Sequence, residues 1–274
     1  MRTIQLLMLL GFMGCGGKKP ISLPVSNGDL EIQSYPEDLA GSKYFDRFLT
    51  AFGVYVLVAE KVSNADAIHT THVLAQYLDN DENGEVDEPL VVEAMVNANA
   101  AMILFETPRD LRRSGIFFGQ TLQNLTVQDL YGEEILPPNS FDATLEEVLH
   151  LVTHVGYAQA QPNDYDEHGP STLTEAMDVA RGGHFIEIPE SYPENGWFHY
   201  DDRTCEYSCM ATEYLYWAMT SLLGGQANRC EEIAHEWELC TPEKVESTDT
   251  AIVDLLRNGS INTPEVLPDG SYGE

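Results

Sequence analysis

The chain has 274 residues, of which 43% are hydrophobic, and its 45 Asp and Glu against 14 Lys and Arg give a formal net charge of -31. Such an acidic surface repels phosphate backbones, so we expect no nucleic-acid partner. The apolar content is enough for a sizeable core, and we assign residues 41–274 to a single globular domain.

The N-terminus has the features of an export sequence. Arg2 supplies a positive charge, residues 4–13 form an apolar run too short to span a bilayer, and Gly14 precedes Cys15. This pattern resembles bacterial lipoprotein signals, in which cleavage leaves the cysteine as a lipid-bearing N-terminus. The resemblance implies a signal peptide over residues 1–14 and a lipid on Cys15. The mature protein would then be anchored outside the cytoplasm, at the outer membrane or the cell surface.

The next part of the chain predicts a linker followed by alternating strands and helices. Residues 15–40 are polar and rich in glycine and proline, which favours a flexible tether. The β-branched and aromatic run at 51–58 predicts a strand, although a helix from Tyr44 is an alternative. Asn64 can cap a helix over 65–78.

Strands become rarer towards the C-terminus. The apolar run at 100–105 predicts a buried strand, and residues 184–188 predict a short one. Helices are expected from position 142 or 144 to about 157, from Ser171 to the Gly182-Gly183 pair, and over 205–223. Few strands and many late helices predict a helix-rich α+β fold.

An acidic loop over residues 79–90 follows the first predicted helix. It resembles the calcium loop of EF-hand and dockerin-like modules, because oxygen-bearing side chains recur at alternate positions and Gly84 permits a sharp turn. Leu90 occupies the twelfth position, where that loop has a bidentate Glu, and Glu88 or Glu93 could replace it. The alternative is a solvated turn without an ion. The resemblance implies one structural calcium ion with ligands from Asp79, Asp81, Asn83, Glu85 and Asp87.

A histidine pair marks the helix predicted after position 142. His150 and His154 are four residues apart, so an α-helix stacks their rings about 6 Å apart on one face, where they can share one zinc or similar ion. Glu147 lies one turn earlier on the same face. The alternative is that both histidines are ordinary polar residues at the edge of a core.

The same helix resembles that of the zincin metallopeptidases, whose HExxH motif supplies two metal-binding histidines and a general base. His150 and His154 match the ligands, but Leu151 stands in the place of the base, which leaves Glu147 as the catalytic candidate. The segment around Glu175 resembles the following gluzincin helix, which implies that Glu175 is the third ligand and that Asp178 orients a ligand. The metal-site helices would span residues 142–182.

Two further groups of residues complete the predicted site and fold. Glu213, on an otherwise apolar helix, competes with Glu175 as third ligand because a buried carboxylate needs a partner. The helical part at 205–256 contains an even set of cysteines, which predicts two disulfides of open connectivity in an oxidising compartment. A zinc site of four thiolates is the alternative. These cysteines are Cys205, Cys209, Cys230 and Cys240.

Two functions follow from these features. The first is a membrane-anchored lipoprotein with a zinc-dependent hydrolase site, which the resemblance to zincins implies to be a peptidase acting on a peptide or protein substrate. The second is a non-catalytic surface binding protein that calcium, zinc and disulfides stabilise. The absence of the usual glutamate at position 151 favours the second, and the stripe of Glu147, His150 and His154 favours the first.

Overall fold

The computed structural model describes residues 19–116, 120–138 and 140–273. The signal peptide and Cys15 lie outside the described residues. Across those ranges, no helix is at once long enough and apolar enough to cross a membrane. The chain divides into two compact units. Of the described residues, the sheet unit contains those up to 156 and those from 268 to 273, and the helical unit contains those from 157 to 267.

The sheet unit is built on a five-stranded mixed sheet with the strand order β1-β2-β3-β4-β5. The pairs β1–β2 and β2–β3 are antiparallel, whereas β4 pairs in parallel with both β3 and β5. The strands are β1 (Gln33–Ser34), β2 (Arg47–Ala51), β3 (Val54–Val58), β4 (Ala100–Phe105) and β5 (Thr126–Tyr131).

A tight hairpin joins β2 and β3. Phe52 has φ 49° and Gly53 has φ 82°, and positive φ at both central residues is the geometry that closes a two-residue hairpin without splaying its strands. The predicted strand at 51–58 is therefore confirmed from Val54 onwards, while Ala51 ends the preceding strand. The alternative helix from Tyr44 is wrong.

The two faces of the sheet are covered differently. Leu57 and Ile103 project into an aromatic-rich core that includes Phe45, Phe48 and Phe105. The opposite face packs against two helices, α1 (Asn64–Leu78) and α4 (Thr144–Leu151), which also contact each other. The other helices of this unit are α2 (Pro89–Asn97) and α3 (Pro108–Ser114).

Helices dominate the second unit. Its central helix is α8 (Tyr207–Leu222), where every residue from 208 to 221 is buried. The helices α7 (Thr172–Ala180), α10 (Pro242–Thr248) and α11 (Thr250–Asn258) pack around it. Three shorter helices complete the unit: α5 (Ala158–Ala160), α6 (Pro162–Tyr165) and α9 (Cys230–Ile233).

The sequence predictions for the later part of the chain are mostly confirmed. Ser171 caps α7, which ends before Gly182, and α8 lies within the predicted 205–223. The strand predicted at 184–188 is wrong, because the segment is irregular and its Ile186 is 67% exposed rather than packed on a sheet. A five-stranded mixed sheet with many helices confirms the helix-rich α+β class.

The four late cysteines form two disulfides, as the sequence predicts. Cys205 pairs with Cys209 and Cys230 pairs with Cys240. The Cα atoms of the two pairs are 5.4 and 5.2 Å apart, within the usual range for disulfides. This connectivity closes two local loops, and the alternative of a four-thiolate site is wrong.

Candidate metal sites

The acidic loop begins where α1 ends. Asp79 is the residue after the last helical turn and is fully buried. Its carboxylate accepts hydrogen bonds from the backbone N–H groups of Asn83, at 3.2 Å, and of Gly84, at 2.8 Å. Gly84 has φ 89°, the left-handed conformation that favours glycine and turns the chain back on itself. These contacts hold the buried carboxylate inside the curve of the loop.

Three carboxylates converge in this loop. Ligand oxygens of Asp79, Asp81 and Asp87 all lie within 4.8 Å of one another. No lysine, arginine or histidine of the described residues forms an ion pair with any of the three. Burial raises the pKa of the Asp87 carboxyl. The hydrogen bond from the Asn80 N–H lowers this pKa in part, and the negative charges of Asp81 and Asp79 raise it again. The loop can therefore hold a metal ion, whose positive charge would offset this repulsion.

The other two predicted ligands lie in the same loop. The Asn83 side chain accepts a hydrogen bond from the Glu85 N–H at 2.8 Å and donates one to Asp81 at 3.0 Å. Glu85 is exposed. The Asn83 oxygen thus lies next to the three carboxylates, and the roles of Asn83 and Glu85 as ligands stay predictions.

The C-terminal segment closes over the loop, which the sequence does not indicate. The Tyr272 hydroxyl donates a hydrogen bond to Asp79. Glu82 accepts hydrogen bonds from the Gly273 N–H at 3.0 Å and from the Gln76 side chain at 2.9 Å. Tyr272 and Asp79 are 193 residues apart, so no local pattern could have linked them. The segment ties the loop to the rest of the sheet unit.

A second group of possible ligands lies on α4. Atoms of Glu146, Glu147 and His150 lie within 4.8 Å of one another, and the Glu147 Oε2 atom is 3.6 Å from His150 Nδ1. Glu147 and His150 are each only 1% exposed. The structure thus brings together two of the predicted site residues in the interior of the sheet unit, and it adds Glu146, which is half-buried.

Strand β5 supplies partners that the sequence analysis missed. The Gln128 side chain donates a hydrogen bond to Glu147, and Tyr131 donates one to Asp129. Burial raises the pKa of Glu147 well above its usual range, and the charges of Asp129 and Glu134 raise it further. The available signal for this strand was its β-branched and aromatic residues, Thr126, Val127 and Tyr131.

His154 lies in a different helical geometry from His150. After α4 the helix widens into a π-helical turn, Val152–Tyr157. The turn places Gly156 against α2, where a Cβ atom would lie 2.6 Å from a Val91 methyl group. Turns of this kind are frequent at functional sites, but they alter the stacking expected of residues four apart in an α-helix. His154 does not belong to the group of described ligand atoms that contains His150, and a metal shared by the two histidines stays a prediction.

The remaining predicted residues belong to the helical unit. Glu175 is exposed in the first turn of α7. Asp178 pairs with His184 at 2.7 Å and accepts a hydrogen bond from the Tyr207 hydroxyl at 3.0 Å. Glu213 is 4% exposed and accepts a hydrogen bond from the Tyr200 hydroxyl at 3.1 Å. Their roles as ligands or orienting groups for the histidine helix stay predictions.

Comparison with known proteins identified no relative. No protein-family model, no curated protein and no solved structure matches the chain. The resemblances to calcium loops and zincin helices therefore depend on the residues and contacts of this chain alone.

Proposed function

We propose that the protein is an extracytoplasmic lipoprotein with a non-catalytic surface domain that calcium stabilises through the loop at 79–90. The observation that carries this proposal is the convergence of the Asp79, Asp81 and Asp87 oxygens within 4.8 Å of one another. Calcium prefers carboxylate, amide and carbonyl oxygens in flexible loops, and this loop offers only such ligands. Outside a cell, where calcium is plentiful, a modest affinity is sufficient.

The burial of the histidine helix argues against a hydrolase. A catalytic zinc ion keeps one coordination position open for water and substrate. Because Glu147 and His150 are each 1% exposed, an ion held between them is out of reach of a peptide. Residue 151 is also a leucine, where the metallopeptidases have their general base. A metal at this position would therefore be structural.

Cysteine pairing supports the proposed location. Four cysteines form two disulfides, and stable disulfides are typical of oxidising compartments outside the cytoplasm. The remaining cysteine, Cys15, is at the position that a lipoprotein signal would modify.

Substitution of Cys15 tests the lipid anchor. In the wild-type protein we expect most of the chain in the membrane fraction, and Cys15→Ser should move it to the soluble extracytoplasmic fraction because the acyl chains can no longer be attached. Fractionation followed by immunoblotting measures this shift. A Cys15→Ser protein that stays with the membrane and is processed normally would refute lipidation.

Calcium titration of the purified mature protein tests the metal. One equivalent should bind with a dissociation constant of roughly 10⁻⁴ M, the range of extracellular modules. Isothermal titration calorimetry measures both the stoichiometry and the affinity. If no calcium binds at millimolar concentration, the proposed stabilisation is wrong.

A further inference from the structure

Two segments of the helical unit, residues 197–201 and 235–238, are held side by side. Phe198 and Trp237 form an isolated antiparallel bridge. Next to it, the His199 N–H donates a hydrogen bond to the Glu236 carbonyl oxygen at 2.7 Å. In an antiparallel register, the residues that follow His199 run alongside those that precede Glu236. The pairing therefore brings position 201 close to position 235.

A disulfide and a buried tryptophan hold the second segment, residues 235–238, in place. It lies in the loop that the disulfide between Cys230 and Cys240 closes. Trp237 is fully buried, and its indole N–H donates a hydrogen bond to the Ser221 hydroxyl at 3.0 Å. Because the disulfide closes this loop and Trp237 anchors it, the backbone that carries the neighbouring side chains is rigid.

Three possible ligands converge where the segments meet. Atoms of Asp201, His235 and Glu236 lie within 4.8 Å of one another. The His235 Nε2 atom is 3.6 Å from Glu236 Oε1. Two ligands at the usual 2.0–2.2 Å from a tetrahedral zinc ion lie about 3.3–3.6 Å apart. The observed separation is too long for a hydrogen bond and fits two ligands of one ion.

The Glu236 side chain supplies an independent indication of a ligand. It is 7% exposed, and among the described residues no N–H or O–H group donates a hydrogen bond to its carboxylate. Burying a carboxylate without such a donor is costly unless a cation compensates its charge. His235, at 3.6 Å, is its only ion-pair partner in the part of the chain that the structure describes. A bound cation would satisfy this carboxylate.

The same position opens onto a cleft. Asp201 and His235 line a cavity of about 510 Å³, together with His199, Arg203, Glu238 and residues 188–194. Glu236 lies behind them and is not part of the lining. An ion held by these three side chains would face the cleft and have room for a fourth ligand, either water or an oxygen of a bound molecule.

We propose that Asp201, His235 and Glu236 form a three-ligand site for a transition-metal ion of the zinc type at the edge of this cleft. One imidazole nitrogen and two carboxylate oxygens suit zinc better than calcium, which is bound almost entirely by oxygen. The site is separate from both the acidic loop and the histidine helix in sequence, and it does not depend on the calcium proposal.

Zinc binding to variants of the full mature protein tests this site. The protein is stripped of transition metals and kept in excess calcium, so that zinc cannot occupy the acidic loop. His235→Ala should lower the number of bound zinc ions by one relative to wild type. Asp201→Asn should weaken binding at this site by more than about 100-fold, since even changes behind a ligand cost about 10–100-fold. Dialysis against zinc and elemental analysis measure the stoichiometry, and competition with a chelator measures the affinity.

A matched control is His168→Ala, which removes another exposed histidine of the helical unit that lies beside an acid, Asp166 at 3.8 Å. This variant should bind as much zinc as wild type. Asp201 is exposed, so Asp201→Asn decides the question even if His235→Ala fails to fold. The proposal is overturned if the wild-type protein binds no zinc, or if Asp201→Asn binds zinc as tightly as wild type.

Discussion

Calcium at 10 mM should raise the melting temperature of the wild-type protein by about 5–10 °C, and Asp79→Asn together with Asp81→Asn should abolish this rise. A ligand present at 100 times its dissociation constant stabilises the folded state by about 2.7 kcal/mol. For a chain of this size, 1 kcal/mol corresponds to about 2–4 °C in melting temperature. The expected shift follows from a dissociation constant of roughly 10⁻⁴ M.

The destabilising effect of the double variant should be smaller when calcium is removed. In a chelator, the carboxylates of Asp79, Asp81 and Asp87 repel one another without compensation. Neutral amides at two of these positions relieve that repulsion, but the amide at position 79 has only one oxygen for the backbone N–H groups of Asn83 and Gly84, which bond to different oxygens of Asp79. The double variant should therefore lose less stability relative to wild type without calcium than with it. Thermal unfolding followed by circular dichroism, in both conditions, measures the two differences.

Asp269→Asn is the matched control for this experiment. Asp269 accepts a hydrogen bond from Gln76 at 2.9 Å, close to the loop but outside the group of converging oxygens. Its variant should keep the full calcium shift. If the double variant also keeps the shift, the ion binds elsewhere in the protein.

The parts of the fold that sequence could predict are those with local patterns. The apolar run Ala100–Phe105 is a fully buried strand with parallel neighbours on both sides, where both faces are covered and no polar alternation is expected. Likewise, Ser171 at the start of α7 forms a capping box with Thr174, and such signals lie within a few residues of each other.

What sequence could not predict depends on contacts between distant residues. The hydroxyl group of Tyr272 reaches Asp79 only because the C-terminal segment returns to the sheet unit. Asp201 lies near His235, which is 34 positions later in the sequence, only because their segments pair with each other. The π-helical turn at Val152–Tyr157 also has no sequence signal of its own, so the four-residue spacing of His150 and His154 predicted a regular α-helix.

The second large effect concerns the buried carboxyl of Glu147. We expect the unfolding free energy of Glu147→Gln, measured relative to that of wild type, to increase as the pH rises. The comparison is made without transition metals and at constant calcium concentration. Burial and the nearby charges of Asp129 and Glu134 raise the pKa of Glu147 above its ordinary value near 4.5. The folded wild-type protein therefore binds a proton at Glu147 that the unfolded chain releases at lower pH.

The direction of the pH dependence follows from this difference. Below about pH 4.5 the carboxyl is protonated in both states, and its full contribution to stability is present. As the pH rises towards the folded pKa, that contribution is lost by up to about 1.4 kcal/mol per pH unit. Glutamine has no such proton, so the difference in unfolding free energy between variant and wild type should widen with pH. Urea unfolding between pH 5 and 8 measures it.

Glu60→Gln is the control, because Glu60 is exposed in the same unit and its variant should follow the wild-type pH dependence. A difference in unfolding free energy between Glu147→Gln and wild type that stays constant with pH would contradict the raised pKa.

Adding zinc to the same samples then tests the predicted histidine site. If Glu147 and His150 hold an ion, zinc should stabilise wild type more than Glu147→Gln or His150→Ala, because all three proteins keep the site proposed at Asp201, His235 and Glu236. The order of stabilities near pH 7 should then invert. If zinc stabilises all three proteins equally, Glu147 is a buried carboxyl that Gln128 satisfies, and His150 is part of the core.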